Sequence, residues 1–96
     1  MIYLYQIIIN NKTRYIGRTN DLKKREYQHN YLLKKGKDKL LYNNIRLENI
    51  KSISLQSISE FKNITEAKRY ECYLILKDYF TDKELWQRVP LIKDGF

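Results

Sequence analysis

Cysteine is almost missing from this chain. Cys72 is the only one, which excludes an internal disulfide and any cysteine-based zinc cage. Histidine is as scarce. His29 stands alone, and no Ser/His/Asp arrangement is apparent. The three glycines, Gly17, Gly36 and Gly95, are too scattered to form a phosphate-binding loop. No apolar run approaches the length of a membrane span, and the N-terminus lacks the basic segment of a signal peptide. These absences suit a protein that stays in a reducing cytoplasm, where it is made. Acidic residues are also few. Eleven Asp and Glu against 19 Lys and Arg leave a formal net charge of +8.

What is present points towards nucleic acid. Nine tyrosines accompany the positive charge. Lysine and arginine neutralise phosphates, while aromatic rings pack or stack. Richness in Lys, Ile, Asn and Tyr also follows from an A·T-rich coding sequence, so composition alone leaves both readings open. The length of 96 residues, with 43% hydrophobic, predicts one small domain over 1–96 with a modest core.

The chain opens with a β-hairpin. Ile2 to Ile9 is β-branched and aromatic with Gln6 as its one polar interruption, the pattern of a strand covered on both faces. Asn10-Asn11-Lys12 supplies the turn, and Thr13 to Arg18 the partner strand. Register follows from parity, because paired residues share a face. A two-residue Asn10-Asn11 loop pairs Ile9 with Lys12 and puts Tyr5 and Tyr15 on opposite faces. A three-residue loop pairs Ile7 with Tyr15 and makes Tyr5 and Tyr15 neighbours on one face. A bulge would do the same.

Asn20 or Asp21 caps a helix from about Leu22 to Lys35, ended by Gly36. Leu22, Arg25, His29 and Leu33 share the face that should meet the sheet, while Tyr27 and Lys34 look elsewhere. A cation on a packed face needs an anion. For Arg25 that is Glu71 or another carboxylate, or else a phosphate, which suits a bidentate guanidinium. His29 reads either as a satisfied core residue or as a base or phosphate contact. The run from Lys34 to Lys39 is a basic loop. Leu40 to Asn49 reads as a second helix with Leu40, Leu41, Ile45 and Leu47 apolar. Lys51 to Phe61 reads as a third strand. Ile58 breaks its alternation and suggests a bulge or bend. Thr65 is expected to cap a last helix with Ala67, Tyr70, Leu74 and Ile75 as its apolar stripe. Glu71 falls inside that stripe, where a carboxylate wants Arg25 or a metal ion. Cys72 points away and reads as inert. Further on, Asp82 to Trp86 is expected to form one helical turn, Pro90 forces extended chain, and Leu85, Trp86, Val89 and Leu91 close an edge of the core.

Tyr15-Ile16-Gly17, followed by a polar turn and a basic helix, resembles the core of the GIY-YIG nucleases. The first motif stands here as Tyr3-Leu4-Tyr5, and the resemblance extends to Arg25, His29 and Glu71. It implies a small α+β (α/β) domain, a three-stranded antiparallel sheet flanked by helices. It also implies a metal-dependent DNA endonuclease. In that reading Tyr5 and Tyr15, assisted by His29, activate the nucleophile. Arg25 holds the phosphate, and Glu71 holds Mg²⁺ or Mn²⁺ with water filling the other positions. Arg25 and the positive field are expected to lower the tyrosine pKa. Arg18, Lys23, Lys24, Lys34, Lys35, Lys37 and Lys39 are the candidate DNA contacts. Members often carry an asparagine near the end of the domain, where this chain has only Gln87. They also often carry a separate recognition domain, so specificity here would either be low or come from self-association or a partner. A phage or mobile-element origin follows from family habit. The alternative is a non-catalytic DNA-binding or partner-binding module on the same scaffold.

Overall fold

The computed structural model describes residues 1–81 and 85–87. Strands β1 (Ile2–Ile9) and β2 (Lys12–Thr19) are followed by helices α1 (Leu22–Lys35) and α2 (Leu40–Leu47), strand β3 (Gln56–Phe61) and helix α3 (Ile64–Thr81). The sheet is antiparallel throughout with order β2-β1-β3. This is the expected α+β fold. The most apolar strand lies in the centre, as burial on both faces requires.

The hairpin resolves the register question by joining the two-residue turn with the bulge. Asn10 and Asn11 both take positive φ, 53° and 68°, as a two-residue turn of the primed type requires and as asparagine tolerates. Ile9 therefore pairs with Lys12 and Ile8 with Thr13, but Ile7 pairs with Tyr15. Arg14 is the extra residue of a β-bulge. Below the bulge Tyr5 pairs with Gly17 and Gln6 with Ile16. Tyr5, Ile7, Tyr15 and Gly17 thus face one way. Leu4, Ile16 and Arg18 face the other.

The first face is covered by α1, α2 and the segment between α2 and β3. Tyr5, Ile7, Ile9, Leu33, Leu41, Tyr42, Ile45 and Ile53 form its buried cluster, with Trp86 packed against it. Helix α3 covers the second face and contacts all three strands. Asp21 starts α1 by accepting from the Lys24 N–H at 3.0 Å. Gly36 ends it at φ 81°, with the Lys37 N–H bonding back to Leu32 O. Arg46 of α2 donates to Leu33 O and Lys37 O, which ties the two helices together.

Several expected boundaries move, each for a local reason. Helix α2 stops at Leu47, because Asn49 takes φ 59°, and Leu40 and Leu47 are exposed. Residues 51–55 are not strand. Helix side chains take their backbone groups instead. Asn30 accepts from Ile53 N–H and donates to Ile53 O, and Glu26 accepts from Leu55 N–H. Strand β3 begins only at Gln56. Ile58 is its bulge, skipped between the Leu4–Ser59 and Tyr5–Ser57 pairs. Asn63, not Thr65, caps α3, since its Oδ1 accepts from the Thr65 N–H at 2.7 Å. Tyr70 is exposed on α3 and stacks with Tyr73 rather than joining the core. The expected turn at Asp82 and the placements of Val89, Pro90 and Leu91 lie outside the described residues. Among the described residues no helix is long and apolar enough to cross a membrane.

Candidate active site

The bulge is what makes a site. It returns Tyr15 to the face of Tyr5, and their rings lie 6.1 Å apart, stacked at 29°. Helix α1 then lays His29 edge-on against both, with centroids 5.8 Å from Tyr5 and 5.4 Å from Tyr15. Gly17 is required for this packing. A Cβ there would meet Tyr5 Oη at 2.6 Å and Cζ at 2.7 Å. The motif glycine is the floor on which the Tyr5 ring rests.

Four hydroxyl and ring groups form one chain of hydrogen bonds. Tyr5 Oη lies 2.8 Å from His29 Nε2, and Tyr42 Oη lies 2.8 Å from His29 Nδ1. A further bond joins Tyr5 and Tyr15, and it makes the Tyr5 proton harder to lose and the Tyr15 proton easier. The His29 tautomer sets the other two directions. With the proton on Nε2, Nε2–H donates to Tyr5 and the Tyr42 hydroxyl donates to Nδ1; with the proton on Nδ1, both directions reverse.

Burial dominates the titration of this cluster. Desolvation raises Tyr5 far above its ordinary range, and Tyr15 is also raised, chiefly by burial. Arg25 pulls both down without prevailing. The expected net lowering of the tyrosine pKa is thus reversed, because a phenolate removed from water loses more than one cation returns. Tyr42 is pushed up to about 12, first by burial. His29 is lowered to about 4 by burial, then by the charges of Arg25 and Lys39. The imidazole is neutral at physiological pH.

The depressed His29 pKa has a consequence for stability. Between pH 6.5 and about 4 the unfolded chain takes up a proton that the folded chain refuses. Stability is complete above the unfolded value and falls as pH drops through that window. The shift corresponds to about 3 kcal/mol. Thermal melts at constant ionic strength should show the loss. His29→Gln, which keeps polar partners but cannot titrate, should flatten it. An unchanged slope in that variant would assign the titration to another group.

Arg25 projects from the same face of α1. Its Nε is buried with no hydrogen-bond partner among the described residues, yet its charge is felt at Tyr5, Tyr15, His29 and Tyr42. Glu71 does not pair with it. Glu71 comes from α3 on the other side of the sheet and pairs with Arg18 of the edge strand, both partly buried. Parity explains the choice, since Arg18 faces α3 and Arg25 does not. Arg18 is therefore occupied by a carboxylate rather than standing free. The Glu71 charge still reaches Tyr15 and opposes its ionisation. Tyr5, Tyr15, Arg25 and His29 converge on one face, and Glu71 stands across the edge of β2 from them.

Lys23, Lys24, Lys34, Lys35, Lys37 and Lys39 are all exposed around α1 and the loop after it. Tyr42 escapes sequence reading, and Gln87 appears there only as the amide that stands where the family often has an asparagine. Tyr42 sits thirteen positions from His29, at no spacing that links them. Gln87 uses its whole amide on the edge of β2. Oε1 accepts from Ile16 N–H at 2.6 Å, and Nε2 donates to Ile16 O at 2.8 Å. Beside it Trp86 N–H donates to the carbonyl of the bulged Arg14. These two residues hold the strand that presents Tyr15 and Gly17.

A metal ion would find one carboxylate here. Among the described residues no three His, Cys, Asp or Glu side chains gather into a cage. Glu71 engages Arg18 through Oε1 alone. That leaves Oε2, and Mg²⁺ accepts such sparse ligation because it keeps its waters. The residues present fit a divalent ion held at Glu71.

Comparison with protein families matches the GIY-YIG catalytic domain over residues 1–82. No curated protein and no solved structure matches the chain.

Proposed function

The chain belongs to the GIY-YIG family of nuclease domains, and from that premise we propose that it is a metal-dependent DNA endonuclease. One observation carries the reading. Arg25 brings a buried guanidinium Nε, without a hydrogen-bond partner among the described residues, to the hydroxyls of Tyr5 and Tyr15. A half-buried cation of this kind is costly unless an anion arrives. A phosphodiester fits, because its oxygens match the planar fork.

The residues divide the work. Tyr15 takes the proton from the attacking water as a phenolate, after its own proton has passed to solvent. Arg25 and the bond to Tyr5 favour that ionisation against burial, whereas Tyr5 is held protonated by burial. Tyr5, His29 and Tyr42 are positioning residues that fix the Tyr15 hydroxyl. Arg25 offsets the charge that builds on the phosphoryl group. Glu71 would hold Mg²⁺ or Mn²⁺, which supplies Lewis-acid stabilisation of the phosphate and leaving group. The exposed lysines around α1 track the DNA backbone.

Supercoiled plasmid tests the reading. Nicking is expected with Mg²⁺ or Mn²⁺ and not with EDTA. Binding in EDTA should weaken with salt at a log–log slope of roughly −4 to −5, as four to six phosphate contacts imply. Binding without nicking under any divalent ion would reduce the chain to a DNA-binding module. A slope near zero would remove DNA altogether.

A further inference from the structure

The outer side of α1 carries a feature that the reaction does not use. Tyr27 is 71% exposed and Tyr31 46%. Their rings stack, with centroids 6.4 Å apart at 17°. Lys35 Nζ lies 5.2 Å from the centre of the Tyr31 ring. Lys23, Tyr27, Tyr31 and Lys35 recur at every fourth residue of the helix, which places them on one stripe. Packing does not account for the rings. Stacking within one helix gains little, and it leaves most of Tyr27 in water.

The stripe also opens onto the site. A cavity of about 290 Å³ is lined by Arg25, His29 and Tyr42 together with Tyr27 and Tyr31. The candidate phosphate ligand and two exposed aromatic rings therefore share one depression.

The chemistry of the stripe selects among nucleic acids. Aromatic faces flanked by lysines suit bases whose own faces are free, with the cations on the connecting phosphates. A paired duplex offers phosphates and groove edges only, because its base faces are covered by neighbours. Reaching a ring would require unstacking. We propose that the Lys23–Tyr27–Tyr31–Lys35 stripe holds unpaired nucleotides of the DNA strand that enters the Arg25 site. The preferred substrate is then single-stranded DNA or a duplex with a single-stranded branch. This rests on the nuclease reading above and names its substrate class.

Fluorescence anisotropy tests it on the whole chain in EDTA, where no strand is cut. The probes are a labelled single-stranded oligonucleotide and a blunt duplex of the same sequence. Wild type should bind the single strand more tightly. Tyr27→Ala with Tyr31→Ala should weaken single-strand binding by about tenfold or more, and duplex binding by less than about twofold. Alanine favours helix, so the scaffold should persist, and a thermal melt checks it. Tyr27→Phe with Tyr31→Phe keeps the ring faces and should bind as wild type does. Equal losses on both probes, or no loss with alanine, would overturn the proposal. Because binding is read without metal, the two readings fail separately. Tyrosine-dependent single-strand preference in a protein that never cuts refutes the nuclease and retains the stripe. Cutting without that preference does the reverse.

Discussion

Glu71→Gln is expected to abolish metal-dependent nicking while DNA affinity holds or rises slightly. The substitution is nearly isosteric. It removes the one carboxylate that adjoins the tyrosine cluster among the described residues, and a neutral amide binds Mg²⁺ poorly. Loss of the Lewis acid and of its charge stabilisation should cost at least about 10²- to 10³-fold in rate. The fold should survive, because a glutamine oxygen can still accept from Arg18. The Arg18–Glu71 pair is partly exposed, and breaking its charge should cost only about 0–1 kcal/mol. Arg18 then faces DNA with its charge no longer balanced, so binding does not weaken. Plasmid nicking, a gel shift and a thermal melt read the three quantities separately. Nicking at the wild-type rate would mean that the metal sits elsewhere. The exposed Glu66, in the first turn of α3, would be the next residue to replace.

Arg25→Met should do two opposite things at once. Cleavage should fall by about 10²- to 10³-fold, because the guanidinium proposed to receive the phosphate is gone. The melting temperature should rise. The wild type holds a partly buried cation whose Nε has no partner among the described residues, beside an imidazole that is itself kept neutral. Removing that charge and keeping an unbranched apolar stem relieves desolvation, by about 1–3 kcal/mol. For a domain of this size each kcal/mol moves the midpoint by roughly 4–8 °C. Arg25→Lys separates charge from geometry. It keeps the cation and loses the fork, so cleavage should suffer without a gain in stability. A lower melting temperature for the methionine variant would mean that the protein itself satisfies Arg25. The phosphate reading would then lose its support.

Such a trade of stability for function has a recognisable sign in sequence. Arg25 and His29 occupy the packed face of an amphipathic helix, where a stable design would put leucines. That conflict was legible, and so were the ends of the helix, because Asp21 and Gly36 act through bonds to their own neighbours. The Ile58 bulge was legible for the same reason, as a break in a local alternation. The apolar run of Ile2 to Ile9 was legible as a strand covered on both faces.

The partners of charged and polar groups were not legible. Glu71 calls for a cation by its burial, and both Arg18 and Arg25 are cations. Only the sheet decides between them, by turning Arg18 towards α3 and Arg25 away. Asn30 and Glu26 look like ordinary helix surface until they take the backbone of Ile53 and Leu55 and so shorten the third strand. Tyr42 and Gln87 join the site by contacts across chain separations that no periodicity encodes.

The hairpin shows where the boundary lies. The local sequence determined the turn, since Asn10 and Asn11 accept left-handed backbone and close a two-residue loop. That loop alone would have sent Tyr15 to the wrong side of the sheet. Tertiary packing supplied the bulge at Arg14. It stacks Tyr15 on Tyr5, rests Tyr5 on Gly17, and lets Trp86 take the displaced carbonyl. Turn chemistry acts between adjacent residues and can be read from them. The face a tyrosine finally takes depends on burial summed over helices that arrive later in the chain, and only the folded structure contains that sum.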